Sequence, residues 1–430
     1  MIARFLAFIA LLLAPFLAVP AVAEVVHQPW TRDATIYELN VRQFSAQGTI
    51  AAAARQLPRL KRMGVTIVWV MPIQPIGVRE RKGTLGSYYS ISDYDAVNPA
   101  FGTVADFRGF VAQAHALGLK VILDWVANHT AWDHPWVAQH PDWYQRGADG
   151  SIHGYEYDNG HDVEHWSDVI GLDYRAPGVA PAVIAAMRFW LVETGIDGFR
   201  CDVAGRVPLA FWLRARAELE RVKPGQFWLA EADRADLHRA FDMTYDWSLY
   251  HRLVDIAAGR ADAQGLREWL AAEQTAYPAD AYRMAFTSDH DENSWQGSDA
   301  ELYRDHLPVF AVLAATLPGM PLVYDGQEAG LNNRLQFFER DPIRWGGYAL
   351  QPFYTRLLAL KRLPALANGA AGAPVAWIET GDDHVAAFRR VKQGHGVIVV
   401  ANLSDAARTL TLPGLGRVTL SPWGYLLRQR

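Results

Sequence analysis

The chain has 430 residues, a formal net charge of −5 and a hydrophobic content of one half. That is enough for one large barrel, its appendages and a sizeable core, and the slightly acidic balance gives no electrostatic basis for a nucleic-acid partner. A single cysteine, Cys201, excludes an internal disulfide.

Residues 1–23 read as a secretory signal peptide. Arg4 is the basic flank, Phe5 to Leu17 the apolar run, and Ala21-Val22-Ala23 a small-residue cleavage site. The run is short for a span and broken by Pro15 and Pro20. The expected chain is exported, periplasmic or extracellular, with no membrane span after cleavage. A first strand is predicted over Thr35 to Val41, then a helix over Ile50 to Met63 that stops at Gly64. Thr66 to Met71 is the second strand, followed by a Gly/Pro-rich loop to Ser92. Val104 to Leu117 is a helix and Lys120 to Asp124 the third strand. This alternation is the sign of a parallel α/β fold.

From 127 to 173 the rhythm fails, and Trp, His, Asp and Gly crowd the segment. A long irregular insertion in a compact domain is usually functional. Alternation resumes with a helix over Ala182 to Glu193, a fourth strand at Gly198 to Asp202, a helix over Pro208 to Arg221 and a fifth strand at Phe227 to Glu231. Met243 to Tyr245 is a short sixth strand and Met284 to Ser288 the seventh. Leu302 to Leu317 is an apolar helix, Leu322 to Tyr324 the eighth strand and Pro352 to Leu363 the last barrel helix. After Ala365 short strands follow: Val375 to Ile378, His384 to Arg390, Gly396 to Ala401, Thr409 to Leu412 and Tyr425 to Leu427. The domain boundaries expected are a barrel over 24–126 and 174–364, an insertion over 127–173 and a β domain over 365–430.

Four of the barrel strands carry ionisable residues at their ends. Gly198-Phe199-Arg200-Cys201-Asp202 ends in a carboxylate, and Arg200 lies on the same side of the strand because side chains alternate. A cation so placed favours the ionised acid that a carboxylate nucleophile requires. Asp124, Asn128 and His129 follow the third strand, Glu231 ends the fifth, and Asp289-His290-Asp291 follow the seventh. A lone terminal acid could be a helix cap. Four sets on the C-terminal ends of parallel strands face one mouth, where a barrel keeps its active site. Cys201 alternates away from Asp202 and reads as a packing residue.

These four segments, in this order, resemble the signature regions of the α-amylase family of glycoside hydrolases, from about Ala34 to the C-terminus. The resemblance implies a (β/α)8 TIM barrel, a protruding domain B after the third strand and a small C-terminal antiparallel β domain. It also implies a retaining hydrolase with an α-glucan substrate. Asp202 would be the nucleophile and Glu231 the acid/base, its apolar approach Phe227 to Ala230 raising the carboxyl toward a proton donor's range. Asp291 would orient hydroxyls and stabilise the oxocarbenium-like transition state. His129 and His290 match sugar-binding histidines, Tyr89 the tyrosine that stacks on the attacked sugar, and Arg200 completes the substrate-binding set.

There are departures from the family pattern. Calcium-dependent members commonly have His four residues after the nucleophile, where its carbonyl binds the metal; this chain has Arg206, so no cofactor is expected to be required and calcium is disfavoured. Asp289 stands where Asn is frequent, and Gly171-Leu172-Asp173 does not cleanly match a known specificity group. Ser90 follows Tyr89 where exo-acting members commonly carry Asp, which favours an open groove and internal α-1,4 cutting. The alternatives are an exo-acting α-glucosidase or oligo-1,6-glucosidase, an α-glucan transglycosylase, and a catalytically silent relative, the last opposed by the presence of all three acids. Oligomeric state is not legible.

Overall fold

The structure, a computed structural model, describes residues 25–158, 160 and 162–430. The expected signal peptide lies outside the described residues. Eight parallel strands close into a barrel: Ile36–Leu39, Ile67–Val70, Lys120–Val126, Gly198–Asp202, Phe227–Ala230, Met243–Tyr245, Tyr282–Ala285 and Met320–Tyr324. They follow one another around the ring in chain order, with the first paired to the eighth.

Strand alternation builds two cores. Ile36, Ile67, Trp69, Ile122, Leu229, Met243, Met284 and Leu322 fill the barrel. Their neighbours Tyr37, Val68, Leu123, Phe199, Cys201 and Trp228 face the helix layer. Cys201 is thus buried among apolar groups, as its alternation predicts. Gly198 opens the fourth strand at φ +149°, and a Cβ there would lie 1.9 Å from the Phe227 carbonyl oxygen. No other residue lets the fourth and fifth strands approach so closely.

The helix layer differs from expectation in three places. The first helix is two, Ile50–Ala54 and Leu57–Met63, because Pro58 takes a first-turn position of the second. The apolar helix near the eighth strand begins only at Leu307, after Arg304 adopts φ +53°. Two unforeseen helices, Trp247–Ala257 and Ala263–Ala276, lie between the sixth and seventh strands, each capped by an aspartate, Asp246 and Asp262. The seventh strand starts and ends earlier than expected, so Ser288 and Asp289 belong to the loop above it.

The insertion after the third strand is less irregular than it reads. His129–Ala131 pairs with Val169–Gly171 and draws its ends together, while Tyr155–Asp158 and Val163–Trp166 form a hairpin. The C-terminal domain is a four-stranded antiparallel sheet plus a hairpin, Arg408–Leu412 with Gly416–Leu420; of these, Gly416–Leu420 was not expected. Among the described residues no helix is long and apolar enough to cross a membrane.

Candidate active site

The third and fourth strands pair with Asp124 opposite Arg200 and Val126 opposite Asp202. Asp124, Arg200 and Asp202 therefore all point into the mouth. Arg200 is fully buried and organises the acids around it. Its Nη1 donates to Asp124 Oδ1 at 2.9 Å and to Asp202 Oδ1 at 3.0 Å. Its Nη2 lies 2.8 Å from Glu231 Oε1, and its Nε donates to Tyr245 Oη at 3.2 Å. Expected from the resemblance to bind substrate, Arg200 instead has no exposed surface. It is a positioning residue that holds three carboxyl groups on one guanidinium.

Asp202 keeps one oxygen unengaged. Oδ2 is buried and accepts no hydrogen bond from the described residues, with His129 Nε2 3.9 Å away. Glu231 Oε2 accepts the Val203 backbone N–H at 2.6 Å. Val203 makes that bond from φ +45°, a left-handed conformation costly for a β-branched residue. Sequence reasoning could not see this donor, since nothing in a valine announces its backbone.

The charge state follows from burial. Burial pushes the Asp202 carboxyl well above its ordinary range, the neighbouring Glu231 adds to the rise, and Arg200 opposes both. Arg200 thus does not by itself secure an ionised Asp202, contrary to the simple sequence argument. Glu231 is also raised, first by burial, again with Arg200 opposing. Two buried carboxyls on one cation favour a single negative charge between them. One ionised and one protonated acid is the pair a double displacement needs.

A second network crosses from the first to the third strand. His290 donates Nδ1–H to Glu38 Oε1 at 2.6 Å and Nε2–H to Tyr89 Oη at 2.7 Å. Tyr89 donates in turn to Asp124 Oδ2 at 3.1 Å, which also accepts Trp69 Nε1–H at 3.0 Å. Burial alone would keep His290 neutral, but Asp291 and Glu38 lift it well above its ordinary value and hold it charged. His129 has no such partner and burial lowers it to about 3, so its ring is neutral. The Tyr89 and His290 rings stack with centroids 5.5 Å apart. Asp291 is the most open of the acids, its side chain 41% exposed, with Oδ2 3.3 Å from His290 Nε2 and Oδ1 accepting Trp295 Nε1–H at 3.2 Å. The mouth therefore assembles Tyr89, His129, Arg200, Asp202, Glu231, His290 and Asp291. Glu38, Trp69, Tyr245 and Trp295 were missed; Glu38 had left a signal as a charge at an inward position of an otherwise apolar strand.

A model of the α-amylase catalytic domain matches residues 32–346. The chain belongs to the α-amylase family. An α-amylase of Lactobacillus plantarum, known from its crystal structure, is 30% identical, with a TM-score of 0.83 over 94% of this chain and 100% of that one. Alpha-amylase 3 of Dictyoglomus thermophilum is 25% identical over 89% of this chain and 87% of its own. An α-1,4-glucan:maltose-1-phosphate maltosyltransferase of Streptomyces coelicolor is 29% identical over 86% of this chain. The chain spans 58% of that enzyme's length and 57% of the α-amylase MalA of Haloarcula japonica. The barrel, the inserted domain and the small antiparallel domain are thus those of an α-amylase-family glycoside hydrolase.

Arg206 places its guanidinium 5.0 Å from the Tyr157 ring centroid, and the Gly205 carbonyl accepts Arg234 Nη1–H at 2.7 Å. The Asn128 side-chain amide is turned toward His129 Nδ1, 3.1 Å away, and Asp173 is engaged by Arg175. Ser90 differs from its expected role. It is buried, and its hydroxyl donates to the Asp168 carbonyl at 2.9 Å, tying the loop after the second strand to the inserted domain. Its hydroxyl is thus engaged by the protein rather than free to face a sugar.

Proposed function

We propose that the protein is a retaining hydrolase of α-1,4-glucosidic bonds in starch, maltooligosaccharides or related α-glucans. The observation that carries this reading is the attachment of Asp202 and Glu231 to adjacent nitrogens of the buried Arg200. Such neighbours suit the separation of about 5–5.5 Å that a covalent, retaining route uses. Asp202 Oδ2 attacks the anomeric carbon while Glu231 gives its proton to the departing oxygen. Glu231, now a carboxylate, takes a proton from water as that water displaces Asp202. Asp291 and His290 hold the attacked sugar's hydroxyls, and Tyr89 lies under its ring.

Transfer to a sugar hydroxyl is the second reading. Several relatives of this chain are maltosyltransferases and one is a trehalose synthase, and the same covalent intermediate serves both outcomes. The apolar, Pro-interrupted N-terminus supports export to the periplasm or beyond. The test is a time course on amylose, pullulan and maltotriose with NMR of the first-formed anomer. The α-anomer should appear first, with a rapid fall in amylose iodine colour. A β-anomer would remove the covalent route. Glucose alone with persisting colour would mean terminal cutting, and products longer than the substrate would mean transfer.

A further inference from the structure

Trp295 is the one aromatic among the large exposed hydrophobic side chains of the described residues, 51% exposed. It sits four positions after Asp291 in a π-helical turn, Glu292–Gln296, and such turns recur at functional sites. Its indole N–H reaches Asp291 Oδ1, so the ring borders the catalytic mouth. Half-exposed beside Asp291, the ring offers an apolar face at the place where a bound sugar would pass.

The surroundings hold this ring still and extend it. Arg334 donates to the carbonyls of Trp295 and Gln296 at 3.2 and 3.0 Å while pairing with Glu301 at 2.9 Å. Asn293 exchanges hydrogen bonds with the chain at Asn333 and Leu335. The Phe337 ring lies 5.3 Å from Trp295 and 6.2 Å from Tyr89, nearly parallel to the latter at 18°. Rings thus run from Tyr89, at the attacked sugar, through Phe337 to Trp295 at the rim. Trp295 follows the seventh strand and Phe337 the eighth, which adjoin each other, whereas Asp202 and Glu231 rise from the adjoining fourth and fifth. A chain whose leaving oxygen meets Glu231 passes its non-reducing end over the Trp295 side.

We propose that Trp295 is the stacking platform for the glucosyl unit next to the attacked one, on its non-reducing side. The apolar face of a pyranose lies against the indole, and the indole N–H keeps Asp291 aimed at the attacked sugar. This rests on the α-glucan reading above. A ring contact of this kind is worth roughly three- to tenfold in an equilibrium or rate ratio.

The test compares 4-nitrophenyl α-glucoside with 4-nitrophenyl α-maltoside, which differ by that one unit. In Trp295→Ala the ratio of kcat/KM, maltoside over glucoside, should fall roughly three- to tenfold. Trp295→Phe keeps a ring and loses the N–H, so it should retain most of the ratio while both substrates slow together. Equal losses on both substrates in Trp295→Ala would overturn the platform and leave only Asp291 positioning or fold. Failure of the wild-type enzyme to cleave either substrate would instead overturn the α-glucan reading, and the platform with it.

Discussion

Replacing Arg200 with methionine is the sharpest test of how the mouth is held together. The guanidinium is fully buried against Asp124, Asp202 and Glu231 at 2.9, 3.0 and 2.8 Å. Methionine fills much of the volume and removes the one cation among the described residues that touches all three. Breaking a buried ion pair from one side costs about 3–5 kcal/mol, and loss of a preorganised charge at a reacting centre costs on the order of 10³ in rate. The thermal midpoint should fall by roughly 4–6 °C near neutral pH. The cause is electrostatic, so the deficit has a pH signature. Burial has already raised Asp124, Asp202 and Glu231 above free-acid values, with Arg200 opposing in each case. Ionising an acid with a raised folded value weakens the fold as pH climbs from its free value to its folded one. Without Arg200 those folded values move higher, so the variant keeps losing stability after the wild type has stopped. Midpoints measured from pH 5 to pH 8 should therefore diverge upward. A deficit that is constant with pH, or larger at pH 5, would show that Arg200 acts by packing and not by charge.

Three further outcomes follow from buried groups. Ser90→Ala should cost about 1 kcal/mol and Ser90→Asp more, because the hydroxyl anchors the Asp168 carbonyl; a folded, stable Ser90→Asp enzyme with altered product length would refute the anchoring role. His129, His134 and His238 are held neutral, first by burial, at about 3, 4 and 3. Their folded values lie below the unfolded one near 6.5, so each withdraws stability as pH falls below 6.5, at up to about 1.4 kcal/mol per unit. Denaturant unfolding of His238→Gln should show a shallower acid limb, and an unchanged slope would exclude that histidine. Chelation and dialysis should leave activity and thermal midpoint largely intact, because Arg206 brings a cation to the position where calcium-dependent members commonly have His. Loss of both, restored only by calcium, would place a site elsewhere in the inserted domain.

Barrel strands buried on both faces announce themselves as short apolar runs, and period-two alternation then says which terminal residues share a face. That is why Arg200 and Asp202 could be aimed together, and Cys201 away from them, before any coordinates. The same logic fails where conformation is set from a distance. Ser90 could be read as facing sugar or protein until Asp168, 78 residues later, was placed beside it. The helices Trp247–Ala257 and Ala263–Ala276 carry aspartate caps, yet a sixth strand of three residues gave too weak a frame to register them. The break before Leu307 depends on one residue, Arg304, at positive φ, which side-chain type does not foretell. Trp295 belonged to no motif, and its worth comes from exposure and neighbours.

The mouth holds five acids, Glu38, Asp124, Asp202, Glu231 and Asp291, against two cations, Arg200 and a charged His290. Burial is the main force raising Glu38, Asp124, Asp202 and Glu231, and neighbouring carboxyls add to it at Glu38, Asp202 and Glu231 while Arg200 opposes, so the arrangement disfavours the free enzyme. The arrangement makes sense when set against the reaction. A neutral α-glucan gains little from a negative cavity. The oxocarbenium-like transition state of glycosidic cleavage carries positive charge at the anomeric carbon, and there Asp202, with its unengaged Oδ2, and the open Asp291 act at short range. An interaction that is weak with substrate and strong with the transition state lowers the barrier directly. The repulsion stored among the carboxyls of the resting site is therefore relieved at the moment charge develops, and Arg200 limits it to what the fold can hold.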